Sequence, residues 1–181
     1  IPTPTPKQQS PHIENCWAAF LCMASAASAD PIYVAYDGDA GSDGSIEALA
    51  TTLDHAMSLA QSGDEVVIAA SASTYAPAST VAVTAGVTVR GATGDWDDVV
   101  ISGSNRQRAA TVTGAGAVLS GVTLIEGYIA GDGKPGPGAY VTAGGVLANS
   151  LVHDNTYDGA TTSFIGGVNA VGGSVVNCII S

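Results

Sequence analysis

Positive charge is the scarcest resource of this chain: five Lys and Arg stand against sixteen Asp and Glu, a formal net charge of −11 at pH 7. Nucleic-acid phosphates and anionic bilayer surfaces are both recognised through clustered cations. The balance therefore excludes nucleic acid as a partner. Cysteine is almost as sparse, with Cys16, Cys22 and Cys178 spread over the chain. Three such residues supply no disulfide framework, and Cys178, alone in an apolar stretch, reads as a small buried hydrophobe. His55 and His153 have no second His or Cys at ligand spacing, which argues against zinc. Neither a Walker loop nor a G-x-S-x-G elbow occurs. Charged residues make up only 12% of the chain while apolar ones make up 46%, so there is enough to bury and disorder is excluded for most of it.

The longest apolar run, Trp17 to Ala29, is too short to span a bilayer. It follows a Pro-rich, polar stretch and ends Ala27-Ser28-Ala29 before Asp30. An apolar region closed by an A-x-A site predicts a signal-peptide-like segment over 1–29, cleaved after Ala29. Its leading part departs from the usual pattern, with Lys7 offset by Glu14. The expected location is secreted, extracellular or at the cell surface, with no membrane insertion of the mature segment.

What the chain has in abundance is repetition. Val83-Thr84-Ala85-Gly86 returns as Val112-Thr113-Gly114-Ala115-Gly116, as Val141-Thr142-Ala143-Gly144-Gly145, and more loosely as Val168-Asn169-Ala170-Val171-Gly172-Gly173. The leading valines stand 29, 29 and 27 residues apart. Short Val/Ile/Thr runs punctuated by Gly at one fixed period imply stacked coils, about four of them visible. Between Ser45 and Ser62 the period changes: Ile46, Leu49, Ala50, Leu53, Met57 and Ala60 recur on one helical face. Ser45 is the expected N-cap and Gly63 the stop. This amphipathic helix is expected to cover the open apolar end of the stack. Asn149 and Asn177, 28 apart, are expected to stack at one turn.

Tyr33-Val-Ala-Tyr-Asp-Gly-Asp-Ala-Gly-Ser-Asp-Gly-Ser, Ser62-Gly-Asp-Glu-Val-Val-Ile, Gly86-Val-Thr-Val-Arg-Gly-Ala, Gly121-Val-Thr-Leu-Ile-Glu-Gly and Asn177-Cys-Ile-Ile-Ser together resemble the pectin-lyase-like group of secreted bacterial surface proteins. The resemblance covers about residues 32–181 and implies an all-β fold, a right-handed parallel β-helix solenoid with an N-terminal capping helix. Residues 30–181 would be the cap and first coils. The chain stops on an apolar strand, Val175 to Ser181, which predicts that the β-helix continues in a longer protein.

That fold serves lyases, hydrolases and adhesins, so activity must come from specific residues. The spans Gly91 to Arg108, Glu126 to Gly138 and Asp154 to Gly166 read as side loops expected to leave one edge. They carry Trp96, Asp97, Asp98, Tyr128, Asp132, Asp154, Tyr157 and Asp158, aromatic faces and carboxylates suited to a polysaccharide or surface glycan. Asp37, Asp39 and Asp43, among flexible glycines, are candidate Ca²⁺ ligands, although no Glu closes a 12-residue loop. Plain Asp-Gly turns account for the same residues. Polygalacturonase-like Asn-Thr-Asp, Gly-His-Gly and Arg-Ile-Lys signatures are absent. Arg90, Arg106 and Arg108 are the only arginines that a lyase could use as base. The expected function is a non-catalytic structural or adhesive module with glycan-binding side loops. The alternative is the front part of a polysaccharide lyase or glycoside hydrolase.

Overall fold

The computed structural model describes residues 30–46, 50–131, 135–159 and 167–181. The signal-like segment lies outside them. Every ladder between its named strands is parallel. β1 (Ile32–Val34) and β2 (Glu65–Ile68) open the chain on either side of helix α1 (Leu53–Leu59). Four rungs follow. The first is β3 (Val81–Val83), β4 (Thr88–Gly91) and β5 (Val100–Ser102). The second is β6 (Ala110–Thr113), β7 (Val118–Ser120) and β8 (Thr123–Ile125), with a side strand β9 (Tyr128–Ala130). The third is β10 (Ala139–Thr142), β11 (Val146–Ala148) and β12 (Leu151–Val152), with a side strand β13 (Thr156–Asp158). The last is β14 (Val168–Val171), β15 (Ser174–Val176) and β16 (Ile179–Ile180).

Three long sheets result, β1-β2-β4-β7-β11-β15, β3-β6-β10-β14 and β5-β8-β12-β16, with β9-β13 as a two-stranded flank. From β3 onward, strands consecutive in sequence thus lie in different sheets, and each pairs with its equivalent one rung away. That is a parallel β-helix, about three turns of chain leading from the first of the four rungs to the last.

Register explains why the sequence repeats. Val83 pairs with Val112 and Val112 with Val141, so one inward-facing position returns after 29 residues and forms a column. The fourth phrase is aligned differently from its sequence reading: Val141 pairs with Ala170, and Val168 pairs with Ala139. The true step is again 29, and the 27 of the sequence reading is a two-residue misalignment. Because side chains alternate along a strand, a slip of two preserves the inward pattern and is invisible to it. A second column runs Val89, Leu119, Leu147 and Val175, and a third runs Ile101, Leu124, Val152 and Ile180. All but the last member of each are fully buried.

The helix is shorter than its periodicity predicts and begins at Leu53, not Ser45. Backbone pairing wins over helix propensity before that point. Thr51 donates its N–H to the Tyr33 carbonyl at 2.9 Å and accepts from the Ala35 N–H at 3.1 Å. Residue 51 is therefore extended beside β1, and Thr52 becomes the N-cap, its hydroxyl accepting from the His55 N–H. Ile46, placed on the helical face by its spacing, is instead exposed. What the helix retains is its cover: Leu53 and Ala56 are buried, and Met57 and Ala60 pack against the core. It lies on β1, β2 and β3, at one end of the stack.

The asparagine stack forms as expected. Asn177 Nδ2 donates to Asn149 Oδ1 at 2.7 Å. Both residues have positive φ, 51° and 47°, a left-handed turn position that Asn tolerates. Cys178 is half-buried and packs against the core.

Candidate functional site

The three spans expected as side loops are in part strand. Gly91 to Arg108 contains β5, with Val99 and Ile101 buried in the core, because the apolar Val99-Val100-Ile101 run completes the first rung. This divides the expected cluster. Trp96, Asp97 and Asp98 form a 3₁₀ turn that enters β5, capped by Asp95, whose carboxylate accepts from the Asp97 N–H at 3.1 Å. The half-buried Trp96 gives its carbonyl to the Thr123 hydroxyl at 2.9 Å. Tyr128 follows β8, and β8 pairs with β5 in parallel. The Trp96 turn and Tyr128 therefore lie beyond opposite ends of the same sheet and do not join into one patch.

Tyr128, Asp154, Tyr157 and Asp158 do lie on one edge. Tyr128 donates its N–H to the Gln107 carbonyl at 2.9 Å and Thr156 donates to Gly127 at 2.8 Å, so this edge runs across three rungs. Tyr128 pairs with Thr156 and Ile129 with Tyr157, which places the two tyrosines on opposite faces of the β9–β13 ladder. On one face the Tyr128 hydroxyl donates to Asp158 Oδ2 at 3.3 Å. Partial desolvation and then the Asp158 carboxylate push that phenol above its ordinary range. On the other face Tyr157 donates to the Gly131 carbonyl at 3.2 Å.

Tyr157 borders a cleft of about 420 Å³ with Asp154, Asn155, Pro137, Gly167 and Ile180. Asn155 is the fixed wall. Its Oδ1 accepts from the Gly127 N–H at 2.7 Å and its Nδ2 donates to the carbonyls of Leu124 and His153, at 3.0 and 2.7 Å. Asp154 stands out from it, its side chain 80% exposed, within 2.7 Å of His153 Nδ1. Its φ of 52° repeats the 51° of Glu126 one rung earlier, and Glu126 donates its N–H to the Asp154 carbonyl at 3.0 Å. Asp132 lies outside the described residues.

The three candidate Ca²⁺ ligands do not converge. Asp39 and Asp43 each accept from a backbone N–H two residues on, those of Gly41 and Ser45, both at 2.9 Å. These are Asx turns, in which the carboxylates stabilise their own loop. Asp37 lies near Tyr75 and helps to raise its phenol. Among the described residues, no three His, Cys, Asp or Glu side chains are grouped to hold a metal ion.

Arg90, weighed as a base, is ion-paired: its Nε lies 2.7 Å from Glu65 Oε1. The hydrogen bond it donates to Glu65 holds it still more firmly in the charged form. Arg108 lies 5.1 Å from the centre of the Tyr140 ring and donates to the Gly136 carbonyl at 2.8 Å. Its half-burial lowers its pKa.

One cleft escaped sequence reasoning. Tyr36 and Tyr75 meet edge to face, ring centres 6.0 Å apart at 76°, beside Thr52, Asp54 and Pro77. These residues come from three segments that only the fold brings together.

The chain matches no protein-family profile, no curated protein and no solved structure.

Proposed function

We propose that this parallel β-helix is a secreted or cell-surface module of the pectin-lyase-like kind, with an adhesive role exercised by binding glycan along its β9–β13 edge. Export rests on the apolar run and A-x-A site of 1–29, and the kinship on the coil phrases that resemble that group.

The observation that carries the binding reading is the cleft beside Tyr157. Tyr157 lines a cleft of about 420 Å³ together with an exposed carboxylate, Asp154. Sugar rings stack on aromatic faces, and carboxylates accept from sugar hydroxyls. Tyr128 and Asp158 offer a second, smaller contact on the reverse face of the same ladder. A lyase reading through Arg90 is disfavoured, because a guanidinium held cationic by Glu65 is a poor base.

Affinity electrophoresis of the full chain in gels containing neutral or uronate polysaccharides tests the proposal. Retardation by at least one glycan is expected, weakened about tenfold by Tyr157→Ala, the loss of one stacking face and its hydroxyl. Mobility unchanged in every polysaccharide, or retardation indifferent to both Tyr157→Ala and Tyr128→Ala, overturns it.

A further inference from the structure

The Tyr36–Tyr75 cleft lies at the helix-covered end and plays no part in the glycan reading. It encloses about 330 Å³. One of its two rings is fixed by burial and a hydrogen bond, and the other is exposed. Tyr75 is 4% exposed, its hydroxyl donating to the Ala69 carbonyl at 2.8 Å, while Tyr36 is 55% exposed and keeps a ring face open.

The charge lining this cleft has one sign. Among the described residues, Asp54 is the only charged one that lines it, and no Lys, Arg or His does. Both Asp54 oxygens accept from the single Ala78 N–H, at 3.1 and 2.9 Å. A carboxylate has about four acceptor positions, so Asp54, exposed at the border of the cleft, keeps capacity for a further partner. Burial first, and the Asp37 carboxylate second, push the Tyr75 phenol upward, which places a second negative charge nearby. An open phenol face beside a carboxylate suits a weakly hydrated organic cation. A bare divalent metal would need several more oxygen ligands than this cleft supplies.

We propose that the cleft binds a small organic ammonium ion, its charge over the face of Tyr36 and against the carboxylate of Asp54. The shared chemistry is the ammonium group, quaternary as in choline or primary as on an amino sugar.

The test is a titration of the isotope-labelled full chain followed by amide NMR at constant ionic strength. Choline and glucosamine are the cationic probes, and 3,3-dimethylbutanol and glucose are their neutral counterparts. Saturable shifts at Tyr36 and Ala76 are expected for one or both cations, with affinity about tenfold above the neutral partner. The preferred cation identifies the source. Asp54→Asn keeps an oxygen for the Ala78 N–H and Tyr36→Leu keeps an apolar surface, so both should fold while losing the preference for cations. No saturable shift with either cation, equal affinity for the neutral probes, or preference undiminished in both variants overturns the proposal.

Discussion

The two ends of the solenoid are built from the same kinds of apolar residue and bury them very differently. At the β1 end Val34, Leu53, Ala56 and Ile68 are all within 5% of complete burial. At the β16 end Ile180 is 46% exposed, although its partners in register, Val152, Leu124 and Ile101, are each 0% exposed. Nothing in the local sequence of Ile180 differs in kind. What differs is what lies against each: α1 lies across β1, β2 and β3, while among the described residues β16 pairs with β12. In a stack, burial belongs to a residue's neighbours along the axis, and stability is nearly a sum over adjacent rungs.

The column Ile101–Leu124–Val152–Ile180 is where the contrast breaks most sharply. Leu124→Ala should cost about 3 kcal/mol, the transfer term plus a cavity walled by two rungs. Ile180→Ala should cost about 1 kcal/mol or less, because half its surface already meets water. Urea unfolding of the two variants measures both. Similar losses would mean that the last rung is covered in solution.

The covered end provides the next test. Leu53→Ala should cost about 2 kcal/mol and Thr52→Ala, which removes the N-cap acceptor, about 1 kcal/mol. Hydrogen exchange should localise these losses: amides of β1 and β2 speed up towards the rates of β15 and β16, while β7 stays protected. Uniform acceleration of every rung would show that the stack opens as one unit.

The same contrast explains what could be read in advance. Interior columns were legible because a solenoid repeats its environment, so Val83, Val112 and Val141 return at one period. Their fourth partner was missed by two residues, since Ala170 and Val168 both satisfy an inward position. The helix start was misplaced because Thr51 is held extended by Tyr33 and Ala35, contacts from outside the local pattern. The candidate site was partly legible. Tyr128, Asp154, Tyr157 and Asp158 share an edge, yet the face each occupies follows from pairing between rungs. The Tyr36–Tyr75 cleft joins residues 39 apart that no repeat relates.

Turn corners should show smaller effects than either end. Asn149 sits at φ 47° and accepts from Asn177. Asn149→Gly removes the hydrogen bond but suits the backbone, and should lie within about 0.5 kcal/mol of wild type. Asn149→Ala loses both and should cost about 1 kcal/mol. At Gly121, the glycine of the equivalent corner one rung earlier, an added Cβ would meet the Gly94 Cα at 3.1 Å. Gly121→Asn should therefore be worse than Asn149→Ala, and thermal melts rank the three. A gain from Gly121→Asn would show that the ladder outweighs the clash.

The smallest effect lies in the loop after β1, where Asp43 accepts from Ser45 at 2.9 Å. The backbone N–H of Ser45, followed by its side chain, holds the Asp43 carboxyl below its ordinary value of 3.8. A depressed folded-state pKa contributes stability that is present above the unfolded value and lost as pH falls through the folded one. The window is therefore acid, below about pH 4. Asp43→Asn keeps an acceptor for the Ser45 N–H but does not titrate as a carboxyl. Wild type and variant should differ little at neutral pH, and the wild type should lose melting temperature faster on acidification. Superimposable acid limbs would show that the Ser45 contacts do not favour the charged form, leaving this loop held by backbone pairing such as the Tyr33 N–H to the Gly44 carbonyl at 2.8 Å.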